Sequence, residues 1–264
     1  MEITKKSWIS DEELSEMFSS SYWNDEESEK KKIWGMWETN FNELESKFLK
    51  KGLHNQFNII IEEQDINLDG LNITSLGAGI CMLEAMIAHK NDGINKIYNV
   101  ELSKHRIFDI APNIFEKYSI PKDKIELCLG SFLDIKLDDN SQDLIIMSQA
   151  FHHCSEPDKL LTELKRVLKT DGKIIIVGEH FFGKYQILKR FIKHFPKYLI
   201  NYNGIRSRSS IIPTWRCLFP IDKVKGDHHY NQNQYTNMFN EAGFEFKRWV
   251  FKDYMNQGFC LRLK

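Results

Sequence analysis

The sequence of 264 residues predicts an α/β fold, a mostly parallel sheet with helices on both faces. Three observations predict it. Strand-like and helix-like segments alternate between Asn72 and Val177, a glycine turn follows the first of these strands, and an acidic residue follows the second. Because parallel strands need a crossover that is usually a helix, this alternation indicates repeated βαβ units.

The first strand and its turn are the stretch NITSLGAG, which ends in Gly77 and Gly79. The next segment has apolar residues at helical spacing, Met82, Ala85 and Met86. The glycines therefore lie at a strand-to-helix turn, where the missing Cβ lets a ligand approach the backbone closely. The helix N-terminus offers unpaired N–H groups to an anion.

An acidic residue ends the second strand, KIYNV. Glu101 follows Gly79 by about 20 positions, the distance at which a carboxylate accepts hydrogen bonds from a ribose. Met82 stands where the dinucleotide fingerprint G-x-G-x-x-G has its last glycine. The two features together predict a nucleoside cofactor and argue against a dinucleotide.

A buried strand, a polar loop and an amphipathic helix follow in SQDLIIMSQAFHHCSEPDKLLTELKRVLKTDGKIIIVGEH. The helix is predicted to begin at Ser155, with Pro157 in its first turn, and to end at Gly172. Its apolar stripe consists of Leu160, Leu161, Leu164, Val167 and Leu168. Another buried strand, KIIIVG, follows.

At these residues the chain resembles the class I S-adenosylmethionine-dependent methyltransferases, in particular the group that acts on small molecules. Their pattern is a strand, a His-His or similar loop, and then P-x-x-x-L-x-E-L-x-R-V-L-K-x-x-G. The matching residues are His152, His153, Pro157, Leu161, Glu163, Leu164, Arg166, Val167, Leu168, Lys169 and Gly172. The resemblance covers residues 72–180, with a weaker match at 231–264. It implies a Rossmann-like sheet of seven strands and the cofactor S-adenosyl-L-methionine.

The resemblance also implies which residues contact the cofactor. They are Ser75, Gly77, Gly79, Glu101, Leu102, Ser131, Phe132 and Gln149. The methionine end would lie on the two glycines, the ribose on Glu101, and the sulfonium near Gln149. The adenine would lie near Leu102 and the loop at residues 131–133.

This chain departs from the family at three of the cofactor positions. The family usually has an acidic residue where Ser75 stands, a glycine where Cys81 stands and an Asp where Ser131 stands. The missing carboxylate at Ser75 matters most, because it helps to hold the cofactor's ammonium group. These departures keep a noncatalytic cofactor-binding scaffold of the same fold as an alternative.

Four regions are predicted along the chain: an N-terminal helical lid region at 1–65, the cofactor-binding core at 66–180, a basic insertion after the fifth strand at 181–230, and a C-terminal helix with an antiparallel strand pair at 231–264. The first region is expected to start a helix after Ser10 and to continue at helical spacing through KKKIWGMWETNFNELESKFL. It is either a helical layer on the sheet or a lid, in which case Tyr22 and Trp23 contact the substrate.

The insertion carries the charge asymmetry of the chain. Residues 181–226 contain ten Lys and Arg against one acidic residue, a net +9, while the rest of the chain carries −10. Such a field attracts anions, and Arg binds phosphate or carboxylate through two hydrogen bonds. We therefore expect a small anionic substrate, such as a sugar nucleotide or a biosynthetic intermediate, with contacts from His229, Arg206 and Arg208. A membrane surface, nucleic acid, and pairing with acidic helices of this chain or of a second copy in a homo-oligomer stay open.

Five histidines fall in the loops expected at the active site: His152, His153, His180, His228 and His229. A base is needed only for a hydroxyl or charged amine acceptor, and the pKa of His suits that task. His180, His228 and His153 are the catalytic candidates, while His152 is expected to support its turn. Glu179 and Asp227 add side chains that suit metals, but the spacing follows no fixed ligand pattern, so no metal is predicted.

Composition excludes several classes. No apolar run approaches the roughly 20 residues of a membrane span, and the N-terminus lacks the apolar core of a secretion signal. Five cysteines without a C-x-x-C pair argue against a disulfide framework or zinc knuckle, so a cytoplasmic protein is expected. The spacing Tyr185-x-x-x-Lys189 leaves an NAD(P)-dependent oxidoreductase as a further alternative, although the glycine pattern of those enzymes is missing.

Overall fold

A computed structural model of the chain describes residues 2–19, 40–204, 215–221 and 226–264. The strands of its single sheet are β1 (Thr4–Ser7), β2 (Asn72–Leu76), β3 (Lys96–Glu101), β4 (Ile125–Leu129), β5 (Gln142–Ser148), β6 (Leu168–His180), β7 (Phe244–Phe251) and β8 (Asn256–Leu263). They lie in the order β1-β4-β3-β2-β5-β6-β8-β7. The strands from β1 to β6 pair in parallel, and β8 runs antiparallel to both β6 and β7.

The described α-helices are α1 (Asp11–Ser19), α2 (Phe41–Lys50), α3 (Leu53–Glu63), α4 (Met82–Lys90), α5 (Ala111–Lys117), α6 (Pro157–Val167), α7 (Lys184–Gly204), α8 (Trp215–Leu218) and α9 (Gln232–Glu241). A π-helical turn (His105–Ile110) precedes α5, and a short 3-10 helix (Phe151–His153) follows β5. None of these helices is both long and apolar enough to cross a membrane.

The predicted α/β architecture is confirmed, but the sheet has eight strands where seven were predicted. The extra strand, β1, pairs with β4 at the edge, and Lys6 Nζ lies 2.9 Å from Glu126 Oε1. Its residues TKKS are exposed and carry no apolar alternation, so the sequence offered no signal for it.

Helix α6 differs from its prediction at both ends. Its N-cap is Glu156 where Ser155 was predicted, and it ends at Val167 before the expected stop at Gly172. Leu168 already pairs with Gln142 in the sheet, so strand pairing ends the helix early. Pro157 takes the first helical position as predicted.

Apolar side chains fill both faces of the sheet. On β5, Leu144 and Ile146 face the layer of α3, α4 and α5, while Ile145 and Met147 face the layer of α6 and α9. Helix α3 buries Phe57 and Ile60 against this core.

The carboxyl ends of β2 and β5 lie side by side at the centre of the sheet. From β2 the chain continues to β3 on one side, and from β5 it continues to β6 on the other. This is the switch point of a doubly wound sheet, where such folds bind ligands.

Candidate active site

The glycine turn after β2 has the backbone expected of it. Gly77 and Gly79 have φ of 67° and 58°. The amides of Gly77 and Ala78 donate to the Val100 carbonyl at 2.9 and 3.0 Å, which fixes the turn on β3. A Cβ on Gly77 would lie 2.7 Å from that of Ala150, whereas one on Gly79 would meet no atom within 4 Å. Packing therefore requires Gly77, and Gly79 borders open space.

Glu101 ends β3 beside this open space and is 5% exposed. Its Oε2 accepts from the Gly79 N–H at 2.8 Å, and its Oε1 accepts from the Ser103 N–H at 3.0 Å. Arg106 Nη1 lies 3.8 Å from Oε1. Because a carboxylate has about four lone-pair positions, the two amides leave acceptor capacity for hydroxyl groups. The open face of Gly79 beside an acceptor of this kind fits an adenosyl group.

Ser75 has a carboxylate partner that comes from α4. The buried Ser75 hydroxyl donates to Glu84 Oε1 at 2.5 Å, and burial raises the pKa of Glu84 to about 7. Glu84 Oε2 accepts no hydrogen bond from the described residues. A carboxyl group thus lies beside Ser75, although β2 does not supply it. Sequence reasoning missed Glu84, whose signal is a lone acidic residue in the apolar run MLEAMIA.

A groove of about 330 Å³ lies at the carboxyl end of β4. It is lined by apolar and charged residues alike: Trp8, Ile9, Glu13, Glu16, Ser131, Leu133, Asp134, Glu156 and Lys159. The amide of Gly130 donates to the Glu101 carbonyl at 3.0 Å, so the groove adjoins the end of β3. Its volume is that of a small-molecule site, and Trp8 offers one aromatic face to a planar ring. Leu102 and Phe132 pack against the apolar core. Trp8 was not predicted, because it follows the unpredicted strand β1.

Gln149 follows β5 at the switch point with φ of 53°, which is uncommon for a residue with a Cβ. Its Oε1 accepts from Lys51 Nζ at 3.1 Å, and its N–H donates to the Val177 carbonyl at 2.9 Å. A Cβ on Gly178 would lie 2.6 Å both from Gln149 Cγ and from Leu53 Cδ2. The junction of α2 and α3 therefore covers this end of the sheet.

Four of the five predicted histidines gather around one carboxylate. His180 Nε2 lies 3.3 Å from Asp227 Oδ2, and His153 Nδ1 lies 3.2 Å from Asp227 Oδ1. The His180 ring lies 4.5 Å from that of His152 and 5.1 Å from that of His229, centroid to centroid. We call these five residues the His–Asp cluster.

Glu179 and Tyr235 support this cluster from within the core. His152 Nδ1 lies 3.1 Å from Glu179 Oε1, and the Tyr235 hydroxyl donates to Glu179 Oε2 at 2.5 Å. Burial would raise the pKa of Glu179, but the charge and hydrogen bond of His152 outweigh it and lower the pKa. An ionised Glu179 favours the His152 tautomer with its proton on Nδ1.

The pKa shifts define the charge of the cluster. Burial lowers the pKa of His153 to about 3 and that of His229 to about 4. Burial acts in the opposite direction on Asp227, but the hydrogen bond of His180 and the neighbouring histidines outweigh it and lower the pKa to about 2. Near neutral pH the site therefore holds neutral His153 and His229 beside an ionised carboxylate.

His228 contributes its backbone to the same site. Its N–H donates to the His152 carbonyl at 2.7 Å, which ties the loop before α9 to the 3-10 helix. Its ring stacks on Tyr230, with centroids 5.7 Å apart. Burial lowers the pKa of His228.

Aromatic side chains of the insertion flank the cluster. Trp215 Nε1 donates to the His229 carbonyl at 2.5 Å, and the His229 ring lies 5.6 Å from that of Phe182. Arg190 lies 4.8 Å from the Phe219 ring centroid. The insertion therefore brings both an aromatic wall and a guanidinium to this side of the site.

The structure does not describe four of the predicted site residues. Tyr22, Trp23, Arg206 and Arg208 lie outside the described residues. Tyr185 is 77% exposed on α7, so it lies on the surface of the insertion.

The comparisons with known proteins agree with the geometry. Residues 75–176 match the family model described as a methyltransferase domain. A curated relative, the uncharacterized methyltransferase YcgJ of Bacillus subtilis, is 23% identical over 135 residues, which are 50% of this chain and 49% of YcgJ. The chain thus spans about half the length of that relative.

Solved structures share the fold. The magnesium protoporphyrin IX methyltransferase ChlM of Synechocystis, solved with bound SAH, has a TM-score of 0.60 at 13% identity, covering 94% of this chain and all of that one. A SAM-dependent methyltransferase from Aquifex aeolicus has a TM-score of 0.55 at 17% identity, covering 80% and 91%.

Proposed function

We propose that this chain, which carries a class I S-adenosylmethionine-dependent methyltransferase domain, transfers a methyl group to an oxygen or nitrogen of a small anionic metabolite. The observation that carries the proposal is the open face of Gly79, whose N–H donates to the Glu101 carboxylate at the switch point of the sheet. The cofactor, when bound, supplies an electrophilic methyl group and its own leaving group.

In this proposal the ends of β2, β3 and β4 hold the cofactor. Glu101 accepts hydrogen bonds from the ribose, and the groove beside Trp8 and Ser131 receives the adenine. Ser75 and Glu84 together take the place of the acidic residue that β2 lacks. Gly79 leaves the room that the cofactor needs.

The acceptor is proposed to lie between Gln149 and the His–Asp cluster. Holding nucleophile, methyl carbon and sulfur in line is the main contribution of a protein to such a displacement. The cover that Lys51 and Leu53 form over Gln149 helps to exclude water. The catalytic assignments to His180, His153 and His228 belong to this proposal.

We propose a negatively charged acceptor because the insertion at residues 181–230 is basic. Burial has the largest effect on the pKa of His228 and His229. The charge of Arg216 lowers the pKa of His228 further, and the charge of Arg190 lowers that of His229. In this proposal both guanidiniums face the acceptor, where they suit a phosphate or carboxylate. A sugar nucleotide or a biosynthetic intermediate has this chemistry. A cytoplasmic location is also part of this proposal.

Calorimetric titration with S-adenosylmethionine and with NAD tests the proposal, using Gly79→Ala and a matched control. Gly70 has φ of 75° and, like Gly79, would place a Cβ in open space. Both alanine variants strain the backbone by about 1 kcal/mol. We expect S-adenosylmethionine to bind the wild type and Gly70→Ala equally, and Gly79→Ala at least about tenfold more weakly because the methyl group fills the cofactor space.

Three results would contradict this proposal. Tight NAD binding without S-adenosylmethionine binding would favour an oxidoreductase. Equal S-adenosylmethionine affinity in the two glycine variants would mean that the cofactor does not lie on Gly79. Cofactor binding without a methylated product from a broad metabolite extract would favour a noncatalytic scaffold.

A further inference from the structure

The strongest unexplained feature of the described structure is the set of ligand-type atoms on His152, His180 and Asp227. One such atom from each residue lies within 4.8 Å of the others. These residues come from the 3-10 helix after β5, the end of β6 and the loop before α9. They meet only in the folded chain, which explains why the linear spacing predicted no metal.

The Asp227 carboxylate is buried, and one of its oxygens has no donor among the described residues. Its side chain is 9% exposed, and its Oδ1 accepts no hydrogen bond from the described residues. His153 Nδ1 lies 3.2 Å away but is not aligned for a hydrogen bond. A buried carboxylate oxygen without a donor is costly, and a bound cation would satisfy it.

A second buried atom at the same place lacks a partner. His229 Nδ1 is shielded from solvent and has no hydrogen-bond partner among the described residues. Its ring centroid is 5.1 Å from that of His180. An imidazole nitrogen is a common metal ligand, but His229 is not one of the three residues whose ligand-type atoms lie within 4.8 Å of one another, so it borders the site.

The residues behind the cluster have the arrangement of a supported metal ligand. Glu179 accepts from His152 Nδ1, which directs the unprotonated Nε2 away from Glu179, and Tyr235 holds the other oxygen of Glu179. The Gln257 amide donates to the His180 carbonyl at 2.7 Å and fixes the end of β6. Ligand orientation is therefore set before any ion binds.

We propose that His152, His180 and Asp227 bind one divalent transition-metal ion beside His229. Two imidazoles and a carboxylate suit Zn²⁺, Fe²⁺, Mn²⁺ or Co²⁺ and leave coordination positions open. His152 follows Gln149 by three residues, so the ion would lie on the acceptor side of the proposed active site.

The role of the ion rests on the proposed methyl transfer, whereas its binding does not. With the ion bound, His180 would act as a ligand instead of a base, and an acceptor hydroxyl on the ion would lose its proton to solvent and stay coordinated as an oxyanion. Its oxygen forms the bond to the methyl carbon, the carbon–sulfur bond breaks, and the electron pair goes to sulfur, giving the neutral thioether.

Metal titration of the untagged chain after chelator treatment tests the site. We expect one Zn²⁺ per chain by calorimetry, one Co²⁺ per chain with a visible absorption band, and a rise in melting temperature with either ion. His180→Gln and Asp227→Asn should each weaken binding by about a hundredfold. The control His105→Gln, in the surface pair with Asp109, should bind like the wild type.

The proposal is overturned by no binding and no thermal shift in the wild type, or by equal affinity in the wild type, His180→Gln and Asp227→Asn. The thermal shift of the wild type decides the matter if a variant fails to fold. S-adenosylmethionine titration of the metal-free chain separates the two proposals. Cofactor binding without metal binding overturns the inference alone, and metal binding without cofactor binding overturns the proposed function alone.

Discussion

The two halves of the proposed active site are built differently. In our proposal the cofactor half lies at the ends of β2, β3 and β4 and is mainly backbone: the amides of Gly77 and Ala78 donate to Val100, and that of Gly79 donates to Glu101. The proposed acceptor half, at the ends of β5 and β6, consists mainly of side chains from three distant segments. A site built from backbone requires glycines and one carboxylate at a fixed spacing in the sequence. A site built from side chains of distant segments requires no local sequence pattern.

The largest expected effect tests the cofactor half. Glu101→Ala removes an acceptor that bonds two amides and, in our proposal, the ribose. S-adenosylmethionine affinity should fall about a hundredfold, roughly 3 kcal/mol, since hydrogen bonds to a charged group are each worth about 1.5–3 kcal/mol. Calorimetry measures the loss, and circular dichroism checks the fold.

Glu126 on β4 provides the matched control, because it is also 5% exposed and ion-paired, with Lys6. Glu126→Ala should keep the affinity of the wild type. An equal loss in both variants would mean that Glu101 acts on the fold and not on the ribose.

The next effect concerns stability and pH. Burial raises the pKa of Glu84 from 4.5 to about 7 in the folded chain, so its favourable contribution is complete below pH 4.5 and is lost as pH rises through 7. Glu84→Gln removes this dependence and keeps an acceptor for Ser75. The variant should exceed the wild type in unfolding free energy by up to about 3 kcal/mol at pH 8, and match it at pH 4.

Urea unfolding at both pH values measures the difference, and the pH 4 comparison is its internal control. A wild type whose stability relative to Glu84→Gln does not change between pH 4 and 8 would show that the carboxyl group is ionised throughout, or already neutral throughout.

The smallest expected effect concerns Tyr235 and Glu179, which support the His–Asp cluster from the core. Tyr235→Phe leaves the wholly buried Glu179 Oε2 without its donor, and should lower the unfolding free energy by about 2 kcal/mol. Tyr230→Phe, which loses a bond to the neutral Cys154 carbonyl, should cost about 1 kcal/mol. Denaturant unfolding compares them. A smaller loss for Tyr235→Phe would contradict an ionised Glu179 behind His152.

The difference between the two halves explains which features the sequence could predict. The βαβ order, the turn at Gly77 and Gly79, and the position of Glu101 follow from local patterns, and the structure has them. The exposed strand TKKS left no signal, because an edge strand needs no apolar alternation. Its consequence, Trp8 in the groove beside Ser131, was missed with it.

In the acceptor half, sequence reasoning identified residue types but not their arrangement. The histidines were identified as candidates from their loops, yet the central role of Asp227 and the support of His152 by Glu179 depend on contacts between distant segments. Glu84 was missed for a related reason, since only the fold shows that it meets Ser75.

A crystal structure with S-adenosylhomocysteine bound tests the central claim most directly, that cofactor and acceptor halves meet at this switch point. We predict ribose hydroxyls on Glu101, the cofactor against Gly79, and its sulfur directed past Gln149 toward His180 and Asp227. Density for the ligand elsewhere, with the face of Gly79 left bare, would contradict the account.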